Sequence, residues 1–178
     1  MGGGLTVGTA LARDDLNKGD RRSLRSLLKR ETENTSSKET SMLDHVSLGV
    51  TDINRSRQFY DAVLRPLGLV RIVDSGGGRG SDYGAAPGPF GVEFTITLEA
   101  EVTTPIPGAH LCFRAPDRAA VDAFHVVALA AGGHDDGSPG LRQHYHADYY
   151  CAFVLDPDGH RIETVCHAPK SPMILATG

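Results

Sequence analysis

Apolar and polar residues alternate in short runs along this chain, give way to a helical spacing, and then repeat the whole pattern a second time. Side chains alternate across a strand, so Val46, Leu48 and Val50 share one face of an extended segment, and His45, Ser47 and Gly49 share the other. This predicts a strand over Leu43–Val50. Asp52 stands where a helix N-cap belongs, because its side-chain oxygen can accept from free N–H groups. A helix follows at about Asn54–Leu64, with Gly68 near its end, where a left-handed residue is wanted. Further strands are expected at about Leu69–Val73, Gly80–Gly84 and Gly91–Leu98. The second round predicts a strand over Ala109–Ala115, an N-cap at Asp117, a helix over about Arg118–Ala131 and Gly132-Gly133 at its end. Strands at about His134–Asp136, Tyr149–Leu155 and Arg161–His167 complete it, the last two joined by the turn Asp156-Pro157-Asp158-Gly159.

The repetition is also one of residue identity. At a shift of 65, His45 to Asp52 lies over His110 to Asp117, Phe59 over Phe124, Leu64 over Leu129 and Gly68 over Gly133. At a shift of 70, Val92-Glu93 lies over Ile162-Glu163. Internal repeats decide the fold before any other signal does. The expected fold is α+β: two βαβββ modules, about 42–102 and 108–168, forming a curved mixed-sheet cup with helices on the outside. The joint falls near Thr103–Gly108, marked by Pro105 and Pro107.

Strand parity turns this fold into candidate chemistry. If the apolar alternates pack under the helices, then His45, Glu93, His110 and Glu163 all point to the other, inner face. Two imidazoles and two carboxylates suit a divalent ion, whose charge they balance. A lone His in a strand is usually just a polar residue on a solvated face. Four such residues at repeat-related positions with one parity favour a metal site: Zn, Ni, Co, Mn or Fe(II).

Composition narrows the class. Of 178 residues, 40% are hydrophobic and 22% charged, as in an ordinary globular protein. The three cysteines, Cys112, Cys151 and Cys166, show no CxxC and no even framework, which fits reduced thiols in a cytoplasm. Residues 1–41 hold 8 of the 18 Lys+Arg and 6 of the 22 Asp+Glu, leaving the rest at a net of −6. An acidic domain gives no electrostatic reason to expect nucleic acid. No apolar run is long enough for a membrane span. The first 41 residues read as a disordered leader, polar from Glu31 to Ser41, with one short amphipathic stretch at Arg21–Glu31. It lacks the apolar core of a secretory signal, and Asp14, Asp15 and Asp20 argue against a mitochondrial presequence. Gly2 with Thr6 matches the loose myristoylation pattern, a short and weak signal. The domain is expected over 42–170, with a tail at 171–178.

The stretches Leu43 to Asp52, Phe59-Tyr60-Asp61 with Leu67-Gly68, Ala109-His110-Leu111 and Asp156 to Glu163 resemble the vicinal oxygen chelate superfamily. Its members are glyoxalase I, extradiol dioxygenases, fosfomycin-resistance enzymes and bleomycin-binding proteins. The resemblance implies a metal in a cup of paired βαβββ units, where a small-molecule substrate chelates through neighbouring oxygens. It implies His45, His110 and Glu163 as the three commonest ligands and Glu93 as the fourth ligand of glyoxalase I, with Glu163 or Glu93 as general base. Extradiol dioxygenases use two His and one Glu, and bleomycin-binding members usually lack ligands. Glutathione-using bacterial glyoxalases carry an Arg and an Asn where this chain has Gly49 and Thr97, which points away from glutathione. A metal-dependent lyase or isomerase is therefore expected, with a dioxygenase or a drug-sequestering protein as alternatives. A homodimer is compatible, because small members can share the cup between chains.

Other residues bear on the substrate. The segment Gly137–Tyr150 is dense in His and Tyr, and reads as a loop from which Arg142, His144, Tyr145, His146 or Tyr149 can reach a substrate. The pair His144-x-His146 offers two ligands for a second metal, a weak signal. His125 reads as surface or packing, His167 as rim, and Gly76 to Gly80 as a flexible loop rather than a phosphate cradle.

Overall fold

The computed structural model describes residues 43–85, 91–104 and 106–170. The leader, the tail after residue 170 and Pro105 of the joint lie outside the described residues. Both modules form as expected. The first runs β1 (Val46–Val50), α1 (Ile53–Leu64), β2 (Val70–Ser75), β3 (Gly80–Gly84) and β4 (Phe94–Leu98). The second runs β5 (Leu111–Arg114), α2 (Arg118–Ala130), β6 (His134–Leu141), β7 (Tyr150–Leu155) and β8 (Arg161–Cys166). Each makes a four-stranded sheet, ordered β1-β4-β3-β2 and β5-β8-β7-β6, with a parallel first pair and antiparallel hairpins after it.

The helices form where capping and spacing place them. Asp52 accepts from the N–H groups of Asn54 and Arg55, and Asp117 from that of Ala120. Helix α1 buries Ser56, Phe59, Tyr60, Val63 and Leu64, one stripe at helical spacing. Helix α2 buries Val121, Phe124, His125 and Ala128 on the corresponding stripe. His125, expected at the surface or in packing, is buried and pairs with Asp135 at 2.8 Å. The buried residues of both stripes join β1, β4, β7 and β8 in one hydrophobic cluster. The two modules therefore share a core, and Phe94 meets Phe113 edge-on, 5.4 Å between centroids.

The Asp156–Gly159 turn does more than close the β7–β8 hairpin: it fastens the modules together. Asp156 is almost fully buried; its Oδ1 accepts from the N–H groups of Asp158 and His160, and its Oδ2 from the Tyr60 hydroxyl at 2.7 Å. Asp158 accepts from the Thr51 N–H and hydroxyl, from Arg55 at 2.7 Å and from the Ser56 hydroxyl. The His160 ring meets the Gly49 carbonyl at 2.7 Å. A turn of the second module thus holds the start of α1 and the end of β1.

Two expectations need correction. The expected loop from Gly137 is strand as far as Leu141, because Gly137 and Gly140 pair with Phe153 and Cys151 across register shifts. Pro139 is tolerated there because β6 is a sheet edge, where no ladder N–H is required of it. The repeat also places Glu93 over Glu163, but the sheet registers differ. Val46 pairs with Phe94, whereas its counterpart Leu111 pairs with Ile162. Thr95, not Glu93, therefore occupies the place in the first sheet that Glu163 occupies in the second. Gly76–Gly78 forms a short turn with positive φ throughout.

Candidate functional site

The second sheet has two unlike faces. Ile162 and Cys166 of β8 turn into the shared core, while Val165 turns to the other side and clusters with Cys151, Phe153 and Tyr149. Glu163 has the parity of Val165 and is 2% exposed. Its Oε1 accepts from the Tyr149 hydroxyl at 2.8 Å, and its Oε2 lies 3.1 Å from His110 Nε2. The His110 ring stands edge-on to Phe153, 6.0 Å between centroids, and itself remains partly exposed.

A nearly buried carboxylate changes its neighbours. Burial raises the pKa of Tyr149, and the hydrogen bond to Glu163 raises it further, so Tyr149 keeps its proton and donates. Burial pushes the Cys151 thiol up to about 11, helped by the Glu163 charge and opposed by Arg142. Cys112, opposite Glu163 in the sheet, is exposed as a residue, yet burial of its thiol and the Glu163 charge raise its pKa too. The three cysteines are free thiols. Strand parity places Cys112 beside His110 on this face, and Cys151 and Phe153 join it from β7.

The first module holds the other two candidate ligands. β1 and β4 begin side by side, with the Val46 N–H donating to the Glu93 carbonyl at 3.0 Å. Glu93 is exposed, and His45 is about half exposed and bonded to Asp44 at 2.7 Å. Further along, Ser47 pairs with Thr95 and Thr95 with Asp82, where the Thr95 hydroxyl donates to Asp82 at 2.9 Å. The structure thus joins His110 with Glu163 and sets His45 beside Glu93 in the other sheet. Among the described residues of one chain, no three His, Cys, Asp or Glu side chains gather closely enough to hold a metal ion.

The four candidate substrate residues lie in one turn: the Arg142 N–H donates to the Tyr149 carbonyl at 2.7 Å and the Tyr145 N–H to the Arg142 carbonyl at 2.9 Å. Tyr149 is bound to Glu163, and Arg142 lies along β6 over glycines. The His144 and Tyr145 rings meet at a tilt, 4.3 Å between centroids, with Tyr145 against Tyr149 at 4.8 Å. His146 turns away from His144 and meets His167, Nε2 to Nδ1 at 2.8 Å, and both rings flank Tyr149 edge-on.

A family model described as the Glyoxalase/Bleomycin resistance protein/Dioxygenase superfamily matches residues 42–164. The chain belongs to that superfamily. A glyoxalase/bleomycin resistance protein from Albidiferax ferrireducens T118 is 33% identical, with a TM-score of 0.58 over 70% of this chain and 98% of that one. A glyoxalase-related enzyme from Fulvimarina pelagi is 19% identical, with a TM-score of 0.53 over 71% and 87%. Glyoxalase I from Zea mays is 22% identical, with a TM-score of 0.54 over 70% of this chain and 45% of that one. The last two show the shared fold alone. No curated protein matches. Among the described residues no helix is long and apolar enough to cross a membrane. Within the glyoxalase/bleomycin resistance/dioxygenase fold, the sheet face that carries His110 and Glu163 is the one turned away from the helices.

Proposed function

We propose that this chain is a metal-dependent lyase or isomerase of the glyoxalase type, acting on a small substrate with neighbouring oxygens and without glutathione. The observation that carries the reading is the nearly buried Glu163 carboxylate, held at one oxygen by Tyr149 and set with the other 3.1 Å from His110 Nε2. The donor set fits a divalent ion: two cis ligands at bond lengths of about 2.1 Å stand roughly 3 Å apart. His45 and Glu93 of a second copy complete the ligand set in a homodimer, since the described residues of one chain do not bring the two pairs together. Bound there, the ion would polarise the substrate's oxygens and stabilise an enediolate-like anion.

The chain's own residues supply the rest. Glu163 takes the proton from the substrate carbon and returns it to the neighbouring one, with Glu93 as the alternative base on the opposite side. Tyr149 fixes Oε1 and so sets Oε2 toward His110. Tyr145 and His144 pack beyond Tyr149, where they would face the substrate. Gly49 stands where glutathione-using glyoxalases carry an arginine, and a Cβ there would press on the Glu99 side chain at 3.0 Å. The free thiols fit a cytoplasmic setting.

Elemental analysis of purified protein tests the centre. Wild type should hold metal, and the His110→Ala/Glu163→Ala double variant should lose it; stoichiometric metal in that variant refutes the site. Isomerisation of a thiol–methylglyoxal adduct supports the lyase. Oxygen uptake with catechols would instead assign an extradiol dioxygenase, and tight drug binding without metal a sequestering protein. A metal-loaded protein that is monomeric in light scattering removes the shared cup.

A further inference from the structure

On β6 two positions that share the Glu163 face, Gly137 and Gly140, carry no side chain; their partners across the hairpin are Phe153 and Cys151. Arg142 folds back along the strand into the space they leave. A Cβ on Gly140 would stand 2.9 Å from Arg142 Nη1, and one on Gly137 3.6 Å from Nη2. The residue is half-buried. Its guanidinium makes one hydrogen bond among the described residues, from Nη2 to the Ser138 carbonyl at 3.0 Å. Arg55, Arg71, Arg118 and Arg161 each pair with a carboxylate, whereas Arg142 has none among the described residues. A guanidinium has five N–H donors in a planar fork that matches a carboxylate. Two glycines in a row of paired side chains make room for that fork, and most of its donors remain unspent.

We propose that Arg142 anchors a carboxylate of the substrate, so that the substrate class is a short-chain acid carrying vicinal oxygens at its other end. This rests on the reading of Glu163 as the reacting centre. β6 lies two strands from β8, about 10 Å at strand spacing. Phe153 of β7 lies between them and pairs with both Gly137 and Glu163. The span between the two ends of the substrate is therefore apolar and a few carbons long.

The test compares 2-hydroxyadipate with 2-hydroxyhexanoate, which has the same chain but a methyl in place of the far carboxylate. Binding is measured by titration calorimetry on wild type, Arg142→Met, Arg142→Lys and Gly140→Ala, with metal content and melting temperature followed in parallel. Wild type should prefer 2-hydroxyadipate by about tenfold or more, the worth of one charge-assisted contact. Arg142→Met should abolish the preference and leave 2-hydroxyhexanoate binding, metal and melting temperature unchanged. Arg142→Lys should keep part of it, and Gly140→Ala should lose it by displacing the guanidinium. No preference in wild type, an equal preference in Arg142→Met, or no binding of either probe to metal-loaded protein overturns the anchor. Adipate cannot chelate at one end through vicinal oxygens and reads the anchor alone. If the protein holds no metal, the reading of Glu163 fails, while Arg142-dependent adipate binding still supports the anchor and its absence overturns it.

Discussion

Tyr60→Phe removes a single oxygen from the shared core, and the structure sets the size of the effect. The ring is fully buried and packs against Phe59 at 5.1 Å and Phe94 at 4.9 Å, contacts that phenylalanine keeps. What is lost is the 2.7 Å bond to Asp156 Oδ2, the one side-chain donor among the described residues to a carboxylate that is 1% exposed. A hydrogen bond to a charged group contributes about 1.5–3 kcal/mol. For a domain of this size that corresponds to a fall of roughly 5–12 °C in melting temperature. The effect has a pH signature. Burial raises the pKa of Asp156 above its usual value, and the Tyr60 hydroxyl opposes that rise. In Tyr60→Phe the pKa climbs further. An acid whose folded pKa lies above its unfolded one binds more protons when folded, so stability falls as pH rises through that window and is level above it. The deficit should be full at pH 8 and shrink on acidification toward the ordinary carboxylate range. Denaturant melts of both proteins at pH 8 and pH 5 measure it. A cost under about 0.5 kcal/mol, or one that grows on acidification, would refute the assignment of Asp156 as a buried carboxylate held by Tyr60.

Other expectations follow from the same contacts. Tyr149→Phe frees Glu163 Oε1 and should weaken metal affinity about 10–100-fold with little change in fold, read by competition with a chelator. Asp158→Ala removes the acceptor shared by Thr51, Arg55 and Ser56, and should cost about 2–4 kcal/mol in urea unfolding. Gly133→Ala should cost about 1–3 kcal/mol, because its Cβ would meet Phe59 at 2.8 Å and the Leu155 carbonyl at 2.9 Å; thermal melts would show it. A chain starting at Met42 should keep its melting temperature and bound metal, since the leader's composition buries too little apolar area to offset its ordering entropy.

What the sequence determined by itself is the local and periodic part of this protein. Strand parity, the two aspartate N-caps and the helical stripe of α1 are one-dimensional signals, because they depend on residues within a turn or two of each other. The repeat of His45 over His110 was legible for the same reason, and with it the face that Glu163 occupies. Register between distant strands is another matter. The two modules differ there, so Glu93 and Glu163 hold unlike places in their sheets. The Asp156–Gly159 turn reads as a hairpin from its residues, but its carboxylates find Tyr60, Thr51 and Arg55 about a hundred positions earlier. Arg142 reads as one polar residue in a loop; its place over Gly137 and Gly140 exists only once β6 is paired with β7. The tertiary structure decided these things because burial and pairing partners far apart in the chain are fixed by packing, not by neighbours in sequence.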